Sequence, residues 1–453
     1  MSLVDLDLIR KYSVNGPRYT SYPTALKFAD YSPDEFRASI QGSRRQDGPL
    51  SLYFHIPFCS TLCYYCACSK IVTRDKAKGA RYLDYLFKEM SLLAPLVAGR
   101  EIRQVHLGGG TPTFLSDDQL DTLMDAARRL FQFGPEVECG IEIDPRTVDV
   151  ERIHRLRRAG FNRLSMGIQD FEPAVQAAVN RKQGFEETRC VIQAARDVGF
   201  DSISVDLIYG LPHQTLATIG NTLRSVIELS PDRISIYNYA HLPDRFPPQK
   251  RINVVDLPDA ESRLRILKQC IDVLGMAGYR YIGMDHFAKP DDALSIAMDN
   301  GTLQRNFQGY STHAECDMIA MGITGISQVG DSYAQNVKTL EEYEAALDAG
   351  ELPIAKGLDM TEEDRVRKAV IQALVCRLEL RFAEIEQAFG IDFHKHFVVE
   401  LMALAGLAAD GLVQVEPDRI VVTERGRLLI RNVCMVFDEY FRPASTTAYS
   451  KAI

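Results

Sequence analysis

Four cysteines crowd into ten residues, Cys59, Cys63, Cys66 and Cys68, within His55-Ile56-Pro57-Phe58-Cys59-Ser60-Thr61-Leu62-Cys63-Tyr64-Tyr65-Cys66-Ala67-Cys68. The first three are spaced C-x3-C-x2-C. Three thiolates on one tight loop can hold three irons of a [4Fe–4S] cube, whose irons ordinarily take four cysteine ligands. The fourth iron is then open to a substrate or cofactor, which suits catalysis. A structural zinc is the alternative, but zinc sites usually come as two pairs separated by a longer stretch. Cys66 and Cys68 stand only two apart, an awkward bite for one tetrahedral ion. The other six cysteines (Cys139, Cys190, Cys270, Cys316, Cys376, Cys434) are scattered singly and read as small buried hydrophobes.

The elements that must position this loop follow a repeating grammar from Leu50 onward. Short apolar runs suited to strands are Leu52–Ile56, Gln104–Leu107, Val137–Ile143, Arg163–Gly167, Ile203–Ile208, Arg233–Tyr237 and Tyr279–Met284. Between them lie helical patterns: Gly79–Leu96, Ser116–Phe131, Val150–Arg158, Phe185–Val198, Leu216–Leu229 and Ala260–Met276. Ser116 and the acids after it make a helix start, and Gly160 and Gly199 fall where helices should stop. Strands alternating with helices imply βαβ units and a parallel sheet. The expected fold class is therefore α/β: a partial or complete β/α (TIM-like) barrel, followed by a small, mostly helical C-terminal domain.

In barrels the working groups sit at the C-terminal strand ends and in the loops that follow. The cysteine loop directly follows the first strand. His106-Leu107-Gly108-Gly109-Gly110-Thr111-Pro112-Thr113 closes the second, where glycines let backbone approach a ligand closely and offer amides to it. Glu142, Gln169, Arg181 and Asp206 each stand at or after a later strand end. Any one alone reads as a solvated loop residue; jointly they mark the mouth of a barrel.

The first fifty residues hold little regular pattern. Gly16-Pro17-Arg18-Tyr19-Thr20-Ser21-Tyr22-Pro23-Thr24 reads as an ordered loop. Past Glu362 two or three helical patterns (Glu362–Leu378, Phe382–Phe389, Phe393–Ala408) precede a hairpin-like segment, Leu412–Val422. A final helix over Glu424–Phe441 and a frayed tail from Pro443 to Ile453 are expected, in a winged-helix-like arrangement. The expected divisions are residues 1–49 as an N-terminal segment and possible lid, 50–360 as the barrel, and 361–453 as the helical domain.

The chain has 453 residues, 46% hydrophobic and 25% charged, the balance of a globular protein with material for a large core. Its net charge of −9 and the lack of a dense Lys/Arg run speak against general nucleic-acid or membrane-surface binding. Met1 to Arg10 alternates Leu with Asp and is not a signal peptide, and no membrane span is expected, so a cytoplasmic protein is expected, as a monomer.

The cysteine spacing, with an aromatic before the third cysteine, resembles the signature of the radical S-adenosylmethionine (SAM) enzymes. Within them the chain resembles the oxygen-independent coproporphyrinogen III oxidases over nearly its whole length. The likeness includes the Gly16–Thr24 loop, Tyr237-Asn238-Tyr239-Ala240-His241-Leu242-Pro243, Gly283-Met284-Asp285-His286-Phe287, Arg305-Asn306-Phe307-Gln308-Gly309-Tyr310 and Gly325-Ile326-Ser327. The resemblance implies that Cys59, Cys63 and Cys66 bind a [4Fe–4S] cluster and that two SAM molecules are used. One SAM would contact Tyr53, Gly109, Glu142, Ala240 and Ile326; the other would contact Tyr65, Gly110, Thr111, Gln169, Arg181 and Asp206. Tyr53 and Cys68 are the positions it implies for catalysis. In this family Cys68 is not a cluster ligand, and heme-chaperone relatives lack it. Tyr65 stands where Phe also occurs, and its added hydroxyl needs a partner if buried.

The implied reaction is oxidative decarboxylation of two propionate side chains of coproporphyrinogen III to protoporphyrinogen IX, driven by a 5′-deoxyadenosyl radical. A low-potential electron donor is needed. Substrate carboxylates need cations, and Arg18 is a candidate beside its plainer reading as a surface arginine. Two rivals stand: a relative that binds, transfers or degrades heme, and a non-enzymatic zinc-binding protein.

Overall fold

In the computed structural model, which describes residues 5–43 and 45–441, contacts divide the chain into two units. One comprises Phe28–Ile266 and Glu315–Asp359; the other comprises Met1–Lys27, Leu267–Ala314 and Met360–Ile453.

The first unit is built on six parallel strands: β1 (Leu50–Ile56), β2 (Glu101–Gly109), β3 (Gln132–Ile143), β4 (Arg163–Gln169), β5 (Ser202–Tyr209) and β6 (Arg233–Asn238). Each pairs in parallel with the next. On its other side β1 pairs in parallel with β7 (Asp317–Met321), and an antiparallel run β8 (Ile326–Val329), β9 (Ser332–Asn336) and β10 (Ile354–Asp359) continues outward. The strand order is linear, so this is the partial form of the β/α barrel.

Helices α1 (Ala77–Leu93), α2 (Asp117–Leu130), α3 (Val150–Arg158), α4 (Phe185–Asp197) and α5 (Leu216–Leu229) connect the parallel strands. Their starts follow local chemistry: Ser116 and Thr215 close capping boxes, and the Asp149 side chain accepts the Arg152 amide. β1 is buried on both faces, as the continuous apolar run of a covered parallel strand requires. Leu52, Phe54 and Ile56 are fully buried, each worth roughly 1.5–3 kcal/mol by area removed from water. The β1–β2 register sets Tyr53 opposite His106 and Ile56 opposite Gly109. The cysteine loop and the glycine loop therefore leave the sheet side by side.

The second unit has its own core, in which Val370 and Leu374 of helix Glu362–Arg377 join Phe393, Phe397 and Phe437. The hairpin Val413–Val415/Arg419–Val422 is present, with Glu379–Arg381 added to its edge. The N-terminal residues belong here too: helix Leu6–Tyr12 is tied down by Lys11 on Asp410 (2.5 Å), and its capping Asp5 pairs with Arg425 (2.6 Å).

Three readings of the sequence need correction. The first fifty residues are not featureless, for helices occupy Leu6–Tyr12 and Pro33–Gln41, the latter opened by a Ser32/Glu35 capping box. The helix expected over Glu424–Phe441 is only a 3-10 turn, Arg427–Leu429, and a helix Ile430–Val436. Its first residues are held in a turn because Gly426 packs against the Leu412 carbonyl, where a Cβ would stand 2.0 Å from the oxygen. The pattern over Phe393–Ala408 breaks at Phe397, whose ring is fully buried between Phe393 and Phe437. The tail expected to fray, Pro443–Ile453, lies outside the described residues.

Candidate functional site

A cleft of about 790 Å³, open to solvent, lies at the C-terminal ends of β1 to β5 and is lined by all four clustered cysteines. The cysteine loop is held from several sides. The Tyr64 amide donates to the Val179 carbonyl (3.0 Å), Asn180 Nδ2 donates to the Leu62 carbonyl (2.7 Å), and Lys70 Nζ donates to the Cys66 carbonyl (3.0 Å). Cys63 is buried, with Arg181 Nη1 3.7 Å and Arg146 Nη2 3.9 Å from its sulfur. Cys66 is drawn down to about 6 by its hydrogen bond from Cys68 and by Lys70, against the opposing effect of burial. Burial pushes Cys59 up to about 11, with Thr111 at 3.6 Å opposing. Burial pushes the Tyr65 hydroxyl well above its ordinary value, with the Arg181 charge opposing.

Facing these sulfurs is the end of β2. The Gly110 amide donates to the Ile56 carbonyl (2.8 Å) and the Thr111 amide to the Phe58 carbonyl (2.9 Å), so the loop is stitched to the cysteine strand. Gly109 has φ +111°, and a Cβ there would stand 2.6 Å from His55 Cε1; at Gly110 it would stand 2.7 Å from the Pro57 carbonyl carbon. Glycine is required at 109 by both torsion and space, and at 110 by space.

Two acids sit on the sheet floor. Glu142 accepts the Gly109 amide (3.2 Å) and faces His106 Nε2 (3.3 Å), whose ring stacks on Tyr53 at 6.0 Å. Burial pushes Glu142 up, but His106 and the Gly109 amide outweigh it and hold the carboxyl below its ordinary value. Asp206, opposite Ser235 across β5 and β6, goes the other way: burial, aided by the charge on Glu142, raises it to about 7. Asp144 is buried too, but Arg146 (2.5 Å) and Arg181 (3.3 Å) keep it below the usual carboxylate value.

Twelve of the residues singled out in the sequence line this one cleft: Cys59, Cys63, Cys66, Cys68, Tyr65, Gly109, Gly110, Thr111, Glu142, Gln169, Arg181 and Asp206. Three do not. Tyr53 lies behind the lining, its hydroxyl 3.2 Å from His55 Nδ1. Ala240 is tied to the site through Gln249, whose Nε2 donates to the carbonyls of Ala240 (3.2 Å) and Tyr65 (3.1 Å). Ile326 stands on β8, two strands from Tyr53 through β7.

Sequence reading missed Asp144, Arg146, Lys70, Ser165 and Gly167 in the lining. Asp144 and Arg146 stood at a strand end and carried the same signal as Glu142; Gln249, in a proline-rich turn, carried none.

The donor set fits an iron–sulfur group. Four sulfurs face one cleft, one more than the three that a cube with an open iron takes, with guanidinium and ammonium groups beside them, and glycines replace the Cβ atoms that would fill the space opposite.

The Radical SAM superfamily model matches residues 53–226, and the HemN C-terminal domain model matches residues 360–429. The oxygen-independent coproporphyrinogen III oxidase of Pseudomonas aeruginosa is 49% identical over 453 residues, covering 99% of this chain and 98% of that one. The enzyme of that name from Escherichia coli K12 is 48% identical over 439 residues, covering 97% and 96%. The solved structure of coproporphyrinogen III oxidase from Escherichia coli, described as a radical SAM enzyme, superposes with TM-score 0.93 at 47% identity, covering 96% of this chain and 99% of that one.

Proposed function

This chain belongs to the oxygen-independent coproporphyrinogen III oxidases of the radical SAM superfamily, and from that premise we propose how its own residues divide the work. The family is an oxidoreductase one, with a [4Fe–4S] cluster and SAM as cofactors, and coproporphyrinogen III is the substrate. When bound, the cluster and SAM together supply one-electron reductive cleavage to a 5′-deoxyadenosyl radical.

Cys59, Cys63 and Cys66 hold the cluster; Cys68, a fourth thiol in the cleft, is left for the substrate side. The Gly109–Thr111 backbone and the ionised Glu142 bind one SAM, the carboxylate suited to its amino group. Arg181 and Asp206 orient a second, with Gln169 and Tyr65 as its walls. Tyr53 acts through His106 and His55, fixing the ring that faces Glu142. Ala240 and Ile326 complete the first SAM site from outside the cleft lining. Each decarboxylation removes one hydrogen atom, one CO2 and one further electron from a propionate, leaving a vinyl group. No acid–base pair is required for that balance.

The observation that carries this assignment is the convergence of the cysteine thiols, the glycine loop and Glu142 on one cleft at the strand ends. We further propose a monomeric cytoplasmic enzyme whose chemistry is carried by residues 50–360. Among the described residues no helix is long and apolar enough to cross a membrane. The test is anaerobic turnover with SAM, dithionite and coproporphyrinogen III, products separated by mass. Loss of two CO2 with formation of methionine and 5′-deoxyadenosine is expected. SAM cleavage with unaltered porphyrinogen would overturn the substrate assignment and favour a heme-handling role.

A further inference from the structure

A second cavity of about 650 Å³ adjoins the cleft and shares Cys59, Thr61, Thr111, Asp144 and Arg146 with it. The cysteine loop is thus a wall common to both. The cleft side carries the groups assigned above to SAM, whereas this second side carries none of Glu142, Gln169 or Asp206.

The second cavity is cationic. Lys76, Arg146 and Arg152 line it against one carboxylate, Asp144. Asp144 is already committed, bonded to Arg146 at 2.5 Å and to Arg181 at 3.3 Å. Arg152 pairs with Asp117 (2.9 Å), which Arg155 also engages (3.1 Å). Among the described residues Lys76 has no carboxylate partner: its ammonium donates to the Phe114 carbonyl (2.6 Å) and stands 4.0 Å over the Phe114 ring. Partial desolvation, and then the nearby charge of Arg152, lower its affinity for its proton. An ammonium kept beside another cation without a counter-charge is the local pattern of a site that receives an anion from outside.

The charge continues beyond the cavity. Arg74, Lys76 and Lys78 follow the cysteine loop and are exposed, with Asp75 as the sole acid from Cys68 to Lys78, while Lys70 lines the cleft on the other side. This strip is found on a chain whose net charge is −9. An exposed cationic strip leading into a cationic cavity fits a surface bearing several carboxylates better than it fits one small ion.

We infer that this face is the docking site of an acidic one-electron carrier protein, which delivers reducing equivalents through the Cys59 wall of the loop. The inference rests on the reaction proposed above, which consumes an externally supplied electron. The carrier is oxidised by one electron, and the group held by the three thiolates is reduced by one.

The test uses the reconstituted full-length protein with flavodoxin, an acidic flavin-carrying protein, as the probe. Calorimetric titration should give an affinity that weakens steeply between 50 and 300 mM salt, about those of a several-charge contact. Lys76→Glu should weaken it at least tenfold, and Lys76→Arg should hold it within about twofold. The ratio of flavodoxin-driven to dithionite-driven SAM cleavage should fall at least tenfold in Lys76→Glu. No binding by the wild type, salt-independent binding, or an unchanged ratio in Lys76→Glu would overturn the docking site while leaving the reaction intact. Failure of the wild type to cleave SAM with dithionite would overturn the reaction and this inference together.

Discussion

Arg181 sets Nη1 3.7 Å from the Cys63 sulfur while the same guanidinium reaches Asp144 at 3.3 Å. The side chain is 8% exposed and also donates to the Gly167 carbonyl at 2.5 Å. Its positive charge is therefore fixed beside the Cys63 sulfur and not shared with solvent. Arg181→Met should shift the cluster's reduction potential to more negative values, because a cation near the sulfurs favours the reduced state. An EPR-monitored redox titration reads this, and an unchanged potential would refute the role. Stability should fall toward the lower end of the roughly 3–5 kcal/mol typical of a broken buried pair, since Asp144 keeps Arg146.

Cys68 lines the cleft with the other three cysteines, yet it is given no part in holding iron. Cys68→Ser should retain the iron and sulfide content of the wild type and lose porphyrinogen turnover. Cys63→Ser should lose the iron. Equal iron loss in the two variants would move Cys68 into the ligand set and reopen the choice among the four thiols.

Gly109→Ala meets two obstacles at once. A φ of +111° strains any side chain, at about 1–3 kcal/mol, and the new Cβ would stand 2.6 Å from His55. His55 cannot yield freely, being bonded to Tyr53 and to the Ser69 carbonyl at 3.2 Å each. Equilibrium dialysis should show SAM affinity reduced at least tenfold with iron content retained. Wild-type affinity in the variant would show that the loop does not touch SAM.

Asp206 gives a pH signature. Its folded-state value of about 7 lies above the ordinary 3.8, so the folded protein holds this proton more tightly than the unfolded chain. The associated stability is full below about pH 4 and is lost as pH rises through about 7. Asp206→Asn removes that dependence. Thermal melts of the metal-free protein should show the variant gaining on the wild type between pH 5 and pH 8, by about 1–2 kcal/mol once partial solvation is allowed for. A wild-type advantage that grows with pH would contradict the burial of this acid.

Much of the first unit was legible because its signals are local. Apolar runs bounded by glycine or proline marked β1 to β6, and the cysteine spacing and glycine triplet lay on contiguous segments. Helices Val150–Arg158 and Leu216–Leu229 fell at the expected residues because each begins at a capping side chain. What stayed hidden depended on partners remote in sequence. Gln249 matters only because the fold carries it to the Tyr65 carbonyl, 184 residues away in sequence. The turn at Gly426 exists because Leu412 packs on it, which no pattern within residues 424–441 announces. The cationic cavity is likewise assembled from Lys76, Arg146 and Arg152, three residues whose approach only the sheet dictates.

The most direct test of the whole account follows one hydrogen atom. Coproporphyrinogen III deuterated at the β-carbons of its propionates should be turned over anaerobically with SAM and dithionite, and the 5′-deoxyadenosine weighed. The account predicts deuterium in 5′-deoxyadenosine together with loss of CO2 from the same porphyrinogen. Unlabelled 5′-deoxyadenosine beside a decarboxylated product would contradict it, for the radical formed at this cleft would then not be the species that opens the propionate.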